Sequence, residues 1–275
     1  MSKFSYEGKR VVVSGGGGAG MGAATVEGLA DLGAEIHVLD LKEPPIDVAS
    51  YQSADLRDPD AVAAAIETIG GRIDALFNCA GLPGEPFSDV DTMLVNFAAA
   101  RHLSALVAPR MTNGGAIASI ASTAGSGYLL NIQKWLPLVT TPDFASAKAW
   151  IEAHAADIEG GYAPSKEALI IWTMYAAADF APKNIRLNCI SPGPTDTPMM
   201  PAFEDMASEK LVNLFAQGLG RRATPEEQAW PMIFLNSDAA SYISGENLDT
   251  DGGTISAMTT GRIVIDWEAE LAPEA

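Results

Sequence analysis

Residues 11–22 read Val-Val-Val-Ser-Gly-Gly-Gly-Gly-Ala-Gly-Met-Gly, and this stretch decides the fold of the chain. A short β-branched run leads into a glycine cluster, and a helical pattern of small residues follows and ends at Gly33. The order is strand, turn, helix. Glycines let backbone N–H groups approach a pyrophosphate at the positive end of a helix. A glycine run alone indicates only a turn or a flexible loop, but in this position it predicts a dinucleotide-binding site.

Strand and helix patterns alternate along the rest of the chain. Further buried strands are predicted at residues 36–40, 73–78, 116–120, 185–190 and 247–250. Helical patterns lie between most of them, at residues 58–69, 90–109, 162–180 and 225–235. Alternating βα units with right-handed crossovers predict an α/β fold, a Rossmann-type doubly wound parallel sheet with helices on both faces.

Three segments depart from this alternation. Residues 41–53 contain two adjacent prolines, so a full crossover helix is not expected there. Residues 125–160 form an insert that is too long for a plain loop, and a helical stretch is predicted within it at residues 144–158. The tail, residues 254–275, holds an apolar run at residues 262–267 and an acidic end that is expected to be frayed.

Length and composition fit one domain over residues 1–275. Hydrophobic residues make up 48% of the 275 residues and charged residues 19%, which is an ordinary globular composition. The formal net charge of -18 repels phosphate backbones and anionic lipid surfaces, so neither nucleic acid nor membrane is an expected partner.

The cysteines and histidines carry no predicted chemistry. Cys79 and Cys189 lie in apolar stretches without a close partner, so buried thiols in a reducing compartment are expected. The three histidines show neither metal-ligand spacing nor a triad pattern, and no metal is predicted. The first residues lack the apolar segment of a secretory signal, and no uncharged run has membrane-spanning length, so a cytoplasmic protein is expected.

Asp40 closes the second predicted strand, 18 residues beyond Gly22. A carboxylate at this position hydrogen-bonds the adenosine ribose hydroxyls and repels a 2′-phosphate, so the predicted cofactor is NAD rather than NADP. Lys42 is contrary evidence, because its ammonium group could meet a phosphate. The alternative interpretation of Asp40 is a solvated carboxylate at the end of a strand.

Tyr162 and Lys166 lie four residues apart at the start of a long apolar helix, so they share one face of it. A free tyrosine has a pKa of about 10, so a tyrosine that acts at neutral pH needs a nearby cation that favours the phenolate. Lys166 is expected to supply that charge. By itself such a pair is usually a surface pair, but beside a dinucleotide site it predicts an acid–base pair.

At this point the chain resembles the short-chain dehydrogenase/reductase family, whose Tyr-x-x-x-Lys signature is matched by Tyr162 and Lys166. The resemblance covers residues 9–253 and implies a mainly seven-stranded parallel sheet. The other matching motifs keep the family's order and are Ala54-Asp55-Leu56, Asn78-Cys79-Ala80-Gly81, Asn96, Ser119-Ile120-Ala121-Ser122, Ser191-Pro192-Gly193-Pro194-Thr195 and Asp251-Gly252-Gly253.

The resemblance implies a role for each of four catalytic residues. Tyr162 is the general acid–base, and Ser122 orients the substrate oxygen and stabilises the developing phenolate. Asn96 anchors a proton-relay water beneath Lys166, and Lys166 also holds the nicotinamide ribose. In the oxidative direction, Tyr162 removes the hydroxyl proton of a secondary alcohol while the carbon's hydride moves to the nicotinamide.

The resemblance also implies the NAD-binding residues. Asp55 and Leu56 would meet the adenine, and the segment that ends at Gly81 would meet the adenosine-side ribose. The full predicted set is Ser14, Gly15, Gly20, Met21, Gly22, Asp40, Asp55, Leu56, Asn78, Ala80, Gly81, Tyr162, Lys166, Pro192, Gly193 and Thr195. Taken alone, most of these are ordinary strand ends and turns.

Two departures from the family pattern bear on the site. The glycine loop has one extra residue before Gly20, so the role of each glycine is open. Ser122 and Tyr162 are 40 residues apart, far more than is usual in the family, because of the insert. The insert and the shortened second crossover together resemble the branch of bacterial 3α-hydroxysteroid and coniferyl-alcohol dehydrogenases.

Residues 196–219 are predicted to form an apolar lid over a small hydrophobic alcohol or ketone, for example a hydroxysteroid or another cyclic alcohol. Its apolar residues are Met199, Met200, Phe203, Met206, Leu211, Leu214 and Phe215. The insert's large apolar residues either wall the same cleft or cover the core or a subunit contact, and they are Tyr128, Leu129, Leu130, Trp135, Leu136 and Trp150.

Other functions stay open at this stage. The substrate of such an enzyme could instead be an aryl or allylic alcohol. A protein of a different class would be a non-catalytic NAD sensor, but the presence of Asn96, Ser122, Tyr162 and Lys166 together argues against it. The family implies a homo-oligomer, a dimer or a tetramer.

Overall fold

Seven parallel strands form the sheet, in the order β3-β2-β1-β4-β5-β6-β7. The computed structural model describes residues 2–112 and 114–265. The strands are β1 Arg10–Ser14, β2 Glu35–Asp40, β3 Ser50–Ser53, β4 Ala75–Asn78, β5 Gly115–Ile120, β6 Ile185–Pro192 and β7 Asn247–Thr250. The strand order reverses between β1 and β4, and ligands of such sheets bind at the carboxyl ends of the strands beside the reversal. The predicted doubly wound sheet is confirmed.

Helices cover both faces of this sheet. They are α1 Met21–Asp31, α2 Pro59–Ile69, α3 Asp89–Met93, a π-helical segment Leu94–Ala99, α4 Ala100–Val107, α5 Tyr128–Val139, α6 Phe144–Ala153, α7 Tyr162–Phe180, α8 Met200–Ala207, α9 Glu209–Leu214, α10 Pro225–Asn236 and α11 Thr254–Thr259. One apolar cluster packs α2, α4, α5 and α7 on one face of the sheet, and a second packs α1 and α10 on the other.

The connection between β2 and β3 contains no helix, as its prolines predict. Strand β3 itself reads Ser-Tyr-Gln-Ser, and it lies at the edge of the sheet with side chains that are half-buried or exposed. This strand does not need an apolar run, because its side chains stay in contact with water and only buried sheet faces require apolar residues. Apolar periodicity therefore finds the other six strands and passes over this one.

The insert folds as two helices, α5 and α6, instead of the single helix predicted at residues 144–158. Helix α6 ends at Ala153, and α5 is an additional helix that holds Pro137 in its interior. Proline argues against a helix interior in a sequence pattern. Helix α5 forms nevertheless, because Trp135 and Leu138 are fully buried in the apolar cluster that contains α7.

Arg101 of α4 fastens the insert to the domain. Its buried guanidinium donates to the carbonyl oxygens of Leu138 and Val139 at 3.4 and 3.2 Å, and to that of Asp143 at 2.7 Å. Carbonyl groups at the C-terminus of a helix lack hydrogen-bond donors within the helix. The Arg101 guanidinium supplies donors for the last carbonyls of α5. The insert thus packs on α4 and α7.

The remaining sequence expectations concern the thiols, the tail and membranes. Cys79 and Cys189 are free, Cys189 being buried and Cys79 half-buried. The tail begins with α11, and the part of the predicted apolar run and acidic end from residue 266 onward lies outside the described residues. Over the described ranges, no helix is both long enough and apolar enough to cross a membrane.

Candidate active site

The glycine loop between β1 and α1 is packed so closely that several positions admit no side chain, among them Gly15 and Gly22. A Cβ at Gly15, where φ is 74°, would collide with the backbone nitrogen of Ala80 at the end of β4. A Cβ at Gly22 would collide with the carbonyl oxygen of Gly15. These two glycines therefore let the first turn of α1 lie directly against the loop and the loop against β4.

The extra residue of the loop is accommodated on the side facing the β2–β3 connection. The N–H of Gly17 donates to Asp40 Oδ2 at 2.8 Å, and the N–H of Gly18 donates to the carbonyl oxygen of Glu43 at 2.9 Å. A Cβ at Gly17 would collide with the carbonyl oxygen of Lys42. The lengthened loop thus bulges toward Asp40 and leaves the start of α1 in place.

The start of α1 fits a dinucleotide pyrophosphate. Gly20 is the N-cap and supplies no side-chain cap, so the first N–H groups of the helix stay open to an anion. A Cβ at Gly20 would stand in the gap between the loop and the lid, 3.9 Å from Thr197 and 3.8 Å from Pro198. The residues present here therefore suit the phosphates of a nicotinamide dinucleotide.

The predicted adenosine side lies at the ends of β2, β3 and β4. Asp40 also accepts from the Lys42 N–H at 3.0 Å, so both of its oxygens already hold backbone groups. Asp55 forms an ion pair with Arg57 at 2.6 Å, and hydrogen bonding by that guanidinium holds the pKa of the Asp55 carboxyl below its usual range. Leu56 packs partly buried against the apolar core.

Asn78 is buried, and its side chain points to the neighbouring strand and helix. Its amide donates to Ser104 Oγ at 3.2 Å and to Ser119 Oγ at 3.1 Å. This bracing joins the end of β4 to β5, and the predicted contact of Asn78 with a ribose stays a prediction. Gly81 lies closer to the catalytic residues, since a Cβ there would be 3.3 Å from Asn96 Oδ1 and 3.8 Å from Lys166 Nζ.

Asn96 lies in the π-helical segment and holds the end of β4 against α7. Its Oδ1 accepts from the Leu82 N–H at 2.7 Å, and its Nδ2 donates to the Leu82 carbonyl and to Ser165 Oγ, each at 3.0 Å. The predicted helix over residues 90–109 is therefore present but changes its winding at Asn96. π-Helical turns are frequent at functional sites.

Ser122, Tyr162 and Lys166 come together at the carboxyl end of β5. The Lys166 Nζ lies 5.3 Å from the centroid of the Tyr162 ring and donates to the Ile120 carbonyl oxygen at 2.8 Å. Ser122 and Tyr162 line the same cavity, and the Ser122 side chain lies near enough to the phenol to lower its pKa. Three of the four predicted catalytic side chains thus meet in one place, and Asn96 holds the adjoining turn.

Burial changes the pKa values of both residues of this pair. Burial raises the pKa of Tyr162 to about 12, and the Ser122 side chain opposes that rise. Burial also lowers the pKa of Lys166 to about 8. Burial of the phenol therefore opposes the lowering of the Tyr162 pKa that the sequence predicts, and the effect of the Lys166 charge on Tyr162 stays a prediction.

Pro192, Gly193 and Thr195 border the cavity beside Tyr162. Thr123 donates to the Pro192 carbonyl at 3.1 Å, and Thr195 donates to the Gly193 carbonyl at 2.9 Å. These bonds hold the segment after β6 against the turn that carries Ser122. Thr123 is absent from the predicted site, since a threonine in a tight turn has no sequence pattern that marks it.

A cavity of about 250 Å³ opens in front of Ser122 and Tyr162. The Phe203 ring packs on the Tyr162 ring with centroids 4.8 Å apart. Apart from the segments around Ser122 and after β6, the wall comes from Met21 and the lid, whose lining residues are Thr197, Met199, Met200, Phe203, Met206, Ala207, Leu211, Val212 and Phe215. Of the apolar residues predicted for the lid, all but Leu214 line this cavity, and closure over a substrate stays a prediction.

The insert's large apolar residues lie elsewhere. Trp135 is fully buried, and Tyr128 and Trp150 pack against the same apolar cluster. Leu129 and Leu130 are 62% and 92% exposed. The interpretation of the insert as a wall of the cleft is wrong, because α5 and α6 turn their apolar faces toward α4 and α7.

Comparison with known proteins decides the family. The family description "short chain dehydrogenase" matches residues 9–133, and "Enoyl-(Acyl carrier protein) reductase" matches residues 145–254. The chain is 31% identical to coniferyl-alcohol dehydrogenase of Pseudomonas sp. (strain HR199 / DSM 7063) over 90% of its length and 97% of that protein.

This chain belongs to the short-chain dehydrogenase/reductase family.

Two further likenesses are to proteins named as 3-alpha-hydroxysteroid dehydrogenases. It is 32% identical to 3-alpha-hydroxysteroid dehydrogenase/carbonyl reductase of Comamonas testosteroni, over 90% of this chain and 97% of that one. The crystal structure of 3-alpha-hydroxysteroid dehydrogenase from Pseudomonas sp. B-0831 with NADH matches with a TM-score of 0.76 and 28% identity, over 93% of this chain and all of that one. The predicted family and its branch are confirmed.

As a member of this family the chain is an oxidoreductase that uses a nicotinamide cofactor. Similar solved structures hold NADH in one case and NADP in another. The glycine loop and the open start of α1 fit the phosphates that both of these nucleotides carry.

Proposed function

We propose that this dehydrogenase interconverts a hydrophobic secondary alcohol and its ketone with NAD(H), and that Tyr162 transfers the proton. One observation carries the proposal: the Tyr162 phenol and the Ser122 hydroxyl lie at a single cavity whose opposite wall is methionine and phenylalanine. A cavity with two polar groups at one end and an apolar wall suits a carbinol on an apolar ring.

Each residue has a definite task in this chemistry. Tyr162 accepts the hydroxyl proton in oxidation and returns it in ketone reduction, and the Ser122 hydroxyl orients the substrate oxygen toward it. Lys166, buried beside Tyr162, holds the nicotinamide ribose and adds positive charge that favours the phenolate when the cofactor is bound. The bound nicotinamide supplies the hydride acceptor or donor. Asn96 keeps the turn at Leu82 in place beneath Lys166.

NAD is the cofactor that Asp40 favours. Its carboxylate ends β2 beside the glycine loop, where a 2′-phosphate would add negative charge next to it. Lys42, whose side chain reaches along Gly18, is the nearby cation. The backbone bonds of Asp40 to Gly17 and Lys42 hold the carboxylate toward the loop, and this supports NAD.

A second substrate class also has support besides hydrophobic secondary alcohols. The likeness to coniferyl-alcohol dehydrogenase favours an aryl or allylic alcohol. A purely NAD-sensing protein is disfavoured, because cofactor binding alone requires no acid–base group in an apolar cavity. We infer a cytoplasmic homo-oligomer with no nucleic-acid or membrane partner. Since α5 and α6 cover parts of α4 and α7, we infer that its subunits meet at another face.

A substrate screen tests the proposed function. Hydroxysteroids, cyclic terpenols and benzylic or allylic alcohols are offered in turn with NAD and with NADP, and nucleotide reduction is followed by absorbance. The expected result is NADH formation with a cyclic secondary alcohol at alkaline pH. Turnover of only primary aryl or allylic alcohols would establish the second class, and nucleotide binding without turnover of any alcohol would refute the proposal.

A further inference from the structure

Glu167 follows Lys166 on α7, and its carboxylate is buried against the insert. The Asn131 amide donates to both of its oxygens, at 2.9 and 3.0 Å, and the Trp135 indole N–H donates to one of them at 2.6 Å. Asn131 and Trp135 lie one turn apart on α5, so they present both donors from one face of that helix. The site chemistry described above uses none of these three residues.

These bonds tie α5 to α7 firmly. Hydrogen bonds that neutral N–H groups donate to a carboxylate are shorter and stronger than those between two neutral groups. Trp135 is also fully buried, and its ring packs edge to face on Trp150 of α6 with centroids 6.2 Å apart. Because a buried carboxylate is costly without its donors, α5 cannot move away from Glu167 without a large loss of stability.

A short segment of chain joins α5, which contacts Glu167, to Ser122. Ser122 is followed by a 3-10 turn, Thr123–Gly125, and then by the start of α5. A Cβ at Gly125 would lie 2.9 Å from the backbone carbon of Lys166 and 3.0 Å from the backbone nitrogen of Glu167. A Cβ at Gly127 would lie 2.6 Å from Glu167 Oε1. The turn that carries Ser122 thus lies directly against α7.

We propose that Glu167 is a positioning residue that holds the insert on α7, so that Ser122 keeps its place beside Tyr162 in the cavity although the two are far apart in the sequence. This inference rests on the proposed function. It gives the insert a task in the reaction even though the insert does not line the cavity. Ser122 opposes the effect of burial on the pKa of Tyr162, so a looser turn would leave that pKa higher.

Glu167→Gln tests the role of the carboxylate with little change of shape. Glutamine offers one acceptor oxygen where the carboxylate offers two, so one donor of Asn131 or Trp135 loses its partner. On the rising part of the pH profile, the rate of alcohol oxidation is expected to fall about tenfold. This factor corresponds to the free energy of one hydrogen bond to a charged group. The rising part should move to higher pH, and the KM for NAD should stay unchanged.

Asp143→Ala is the matched control. It removes the N-cap of α6, whose carboxylate accepts from the Ser146 N–H at 2.7 Å, and so it weakens the same insert away from Ser122. Asp143→Ala should have a lower melting temperature than wild-type protein but the same pH profile of alcohol oxidation. A Glu167→Gln protein that also keeps the wild-type profile would reduce Glu167 to a purely structural contact and overturn the inference.

A double-mutant cycle with Ser122→Ala shows whether Glu167 acts through Ser122. Adding Glu167→Gln to Ser122→Ala should cause no additional shift of the pH profile, and a full additional shift would overturn the inference. Failure of the wild-type protein to oxidise any alcohol would refute the proposed function instead. In that event a crystal structure of Glu167→Gln decides, because an unchanged position of Ser122 relative to Tyr162 would overturn the positioning role.

Discussion

The Phe203 ring of α8 meets the Tyr162 ring of α7 edge to face, with centroids 4.8 Å apart and an interplanar angle of 62°. The lid therefore touches the group that we propose transfers the proton, and burial raises the pKa of that group. Under the proposed function, one ring contact bears both on the enclosure of substrate and on the proton affinity of Tyr162.

Phe203→Ala should lower the pKa of Tyr162 and remove part of the apolar wall of the substrate cavity. Water that reaches the phenol stabilises the phenolate, so the rising part of the oxidation pH profile is expected to move to lower pH. The KM for an apolar alcohol should rise about tenfold for the lost ring contact. Steady-state kinetics across pH measure both effects. Tyr242→Ala, at a fully exposed tyrosine, serves as control and should change neither.

Tyr162→Phe should abolish turnover and spare cofactor binding. Loss of a general acid–base group lowers kcat by about a thousandfold. The phenyl ring keeps its packing on Phe203, so the Kd for NAD, measured by fluorescence titration, should stay within about twofold. Retained turnover in this variant would contradict the proposed role of Tyr162.

Lys166→Met should remove a pH dependence of stability. Burial lowers the pKa of Lys166 to about 8, whereas an unfolded lysine has a pKa of about 10.4. Between these values the unfolded chain holds a proton that folded Lys166 has released, so this group makes the free energy of unfolding rise with pH. The buried thiols of Cys79 and Cys189 act in the opposite direction, because burial raises their pKa to about 12. Between about pH 8 and about pH 10, the urea midpoint of wild-type protein should therefore increase relative to that of Lys166→Met. Lys183→Met, an exposed control, should keep the wild-type pH dependence.

Asp40→Asn should weaken the preference for NAD over NADP. The amide keeps one acceptor oxygen for a backbone N–H but no longer repels a 2′-phosphate, so the ratio of kcat/KM values is expected to fall about tenfold. Asp60→Asn removes an equal charge from the first turn of α2 and should leave the ratio unchanged. An unchanged ratio in Asp40→Asn would show that this carboxylate does not select the nucleotide.

Most of the sheet follows from the sequence because buried parallel strands must be apolar. The glycine loop, six strands and the paired positions of Tyr162 and Lys166 are all predicted by local patterns. Strand β3 is not, since its four residues are polar or half-buried at the edge. Helix α5 is not predicted either, because Pro137 in its interior argues against a helix in the sequence. The helix is stabilised by tertiary packing, in which Trp135 is fully buried.

The chemistry of the site is less predictable than its composition. Ser122, Tyr162 and Lys166 are placed by motif, but the direction of the Tyr162 pKa depends on how deeply its ring is buried under the lid. Glu167 has no motif, and its meaning appears only once Asn131 and Trp135 are seen to face it. Long-range contacts of this kind produce no residue-spacing pattern that can be recognised in a single sequence.

The lid and the insert occupy different parts of the molecule, the lid over the cavity and the insert on the outer sides of α4 and α7. Under the proposed function, a change of substrate specificity can arise in residues 196–219 while residues 125–160 keep their contacts. The role proposed for Glu167 then persists wherever Asn131 and Trp135 are inherited with it.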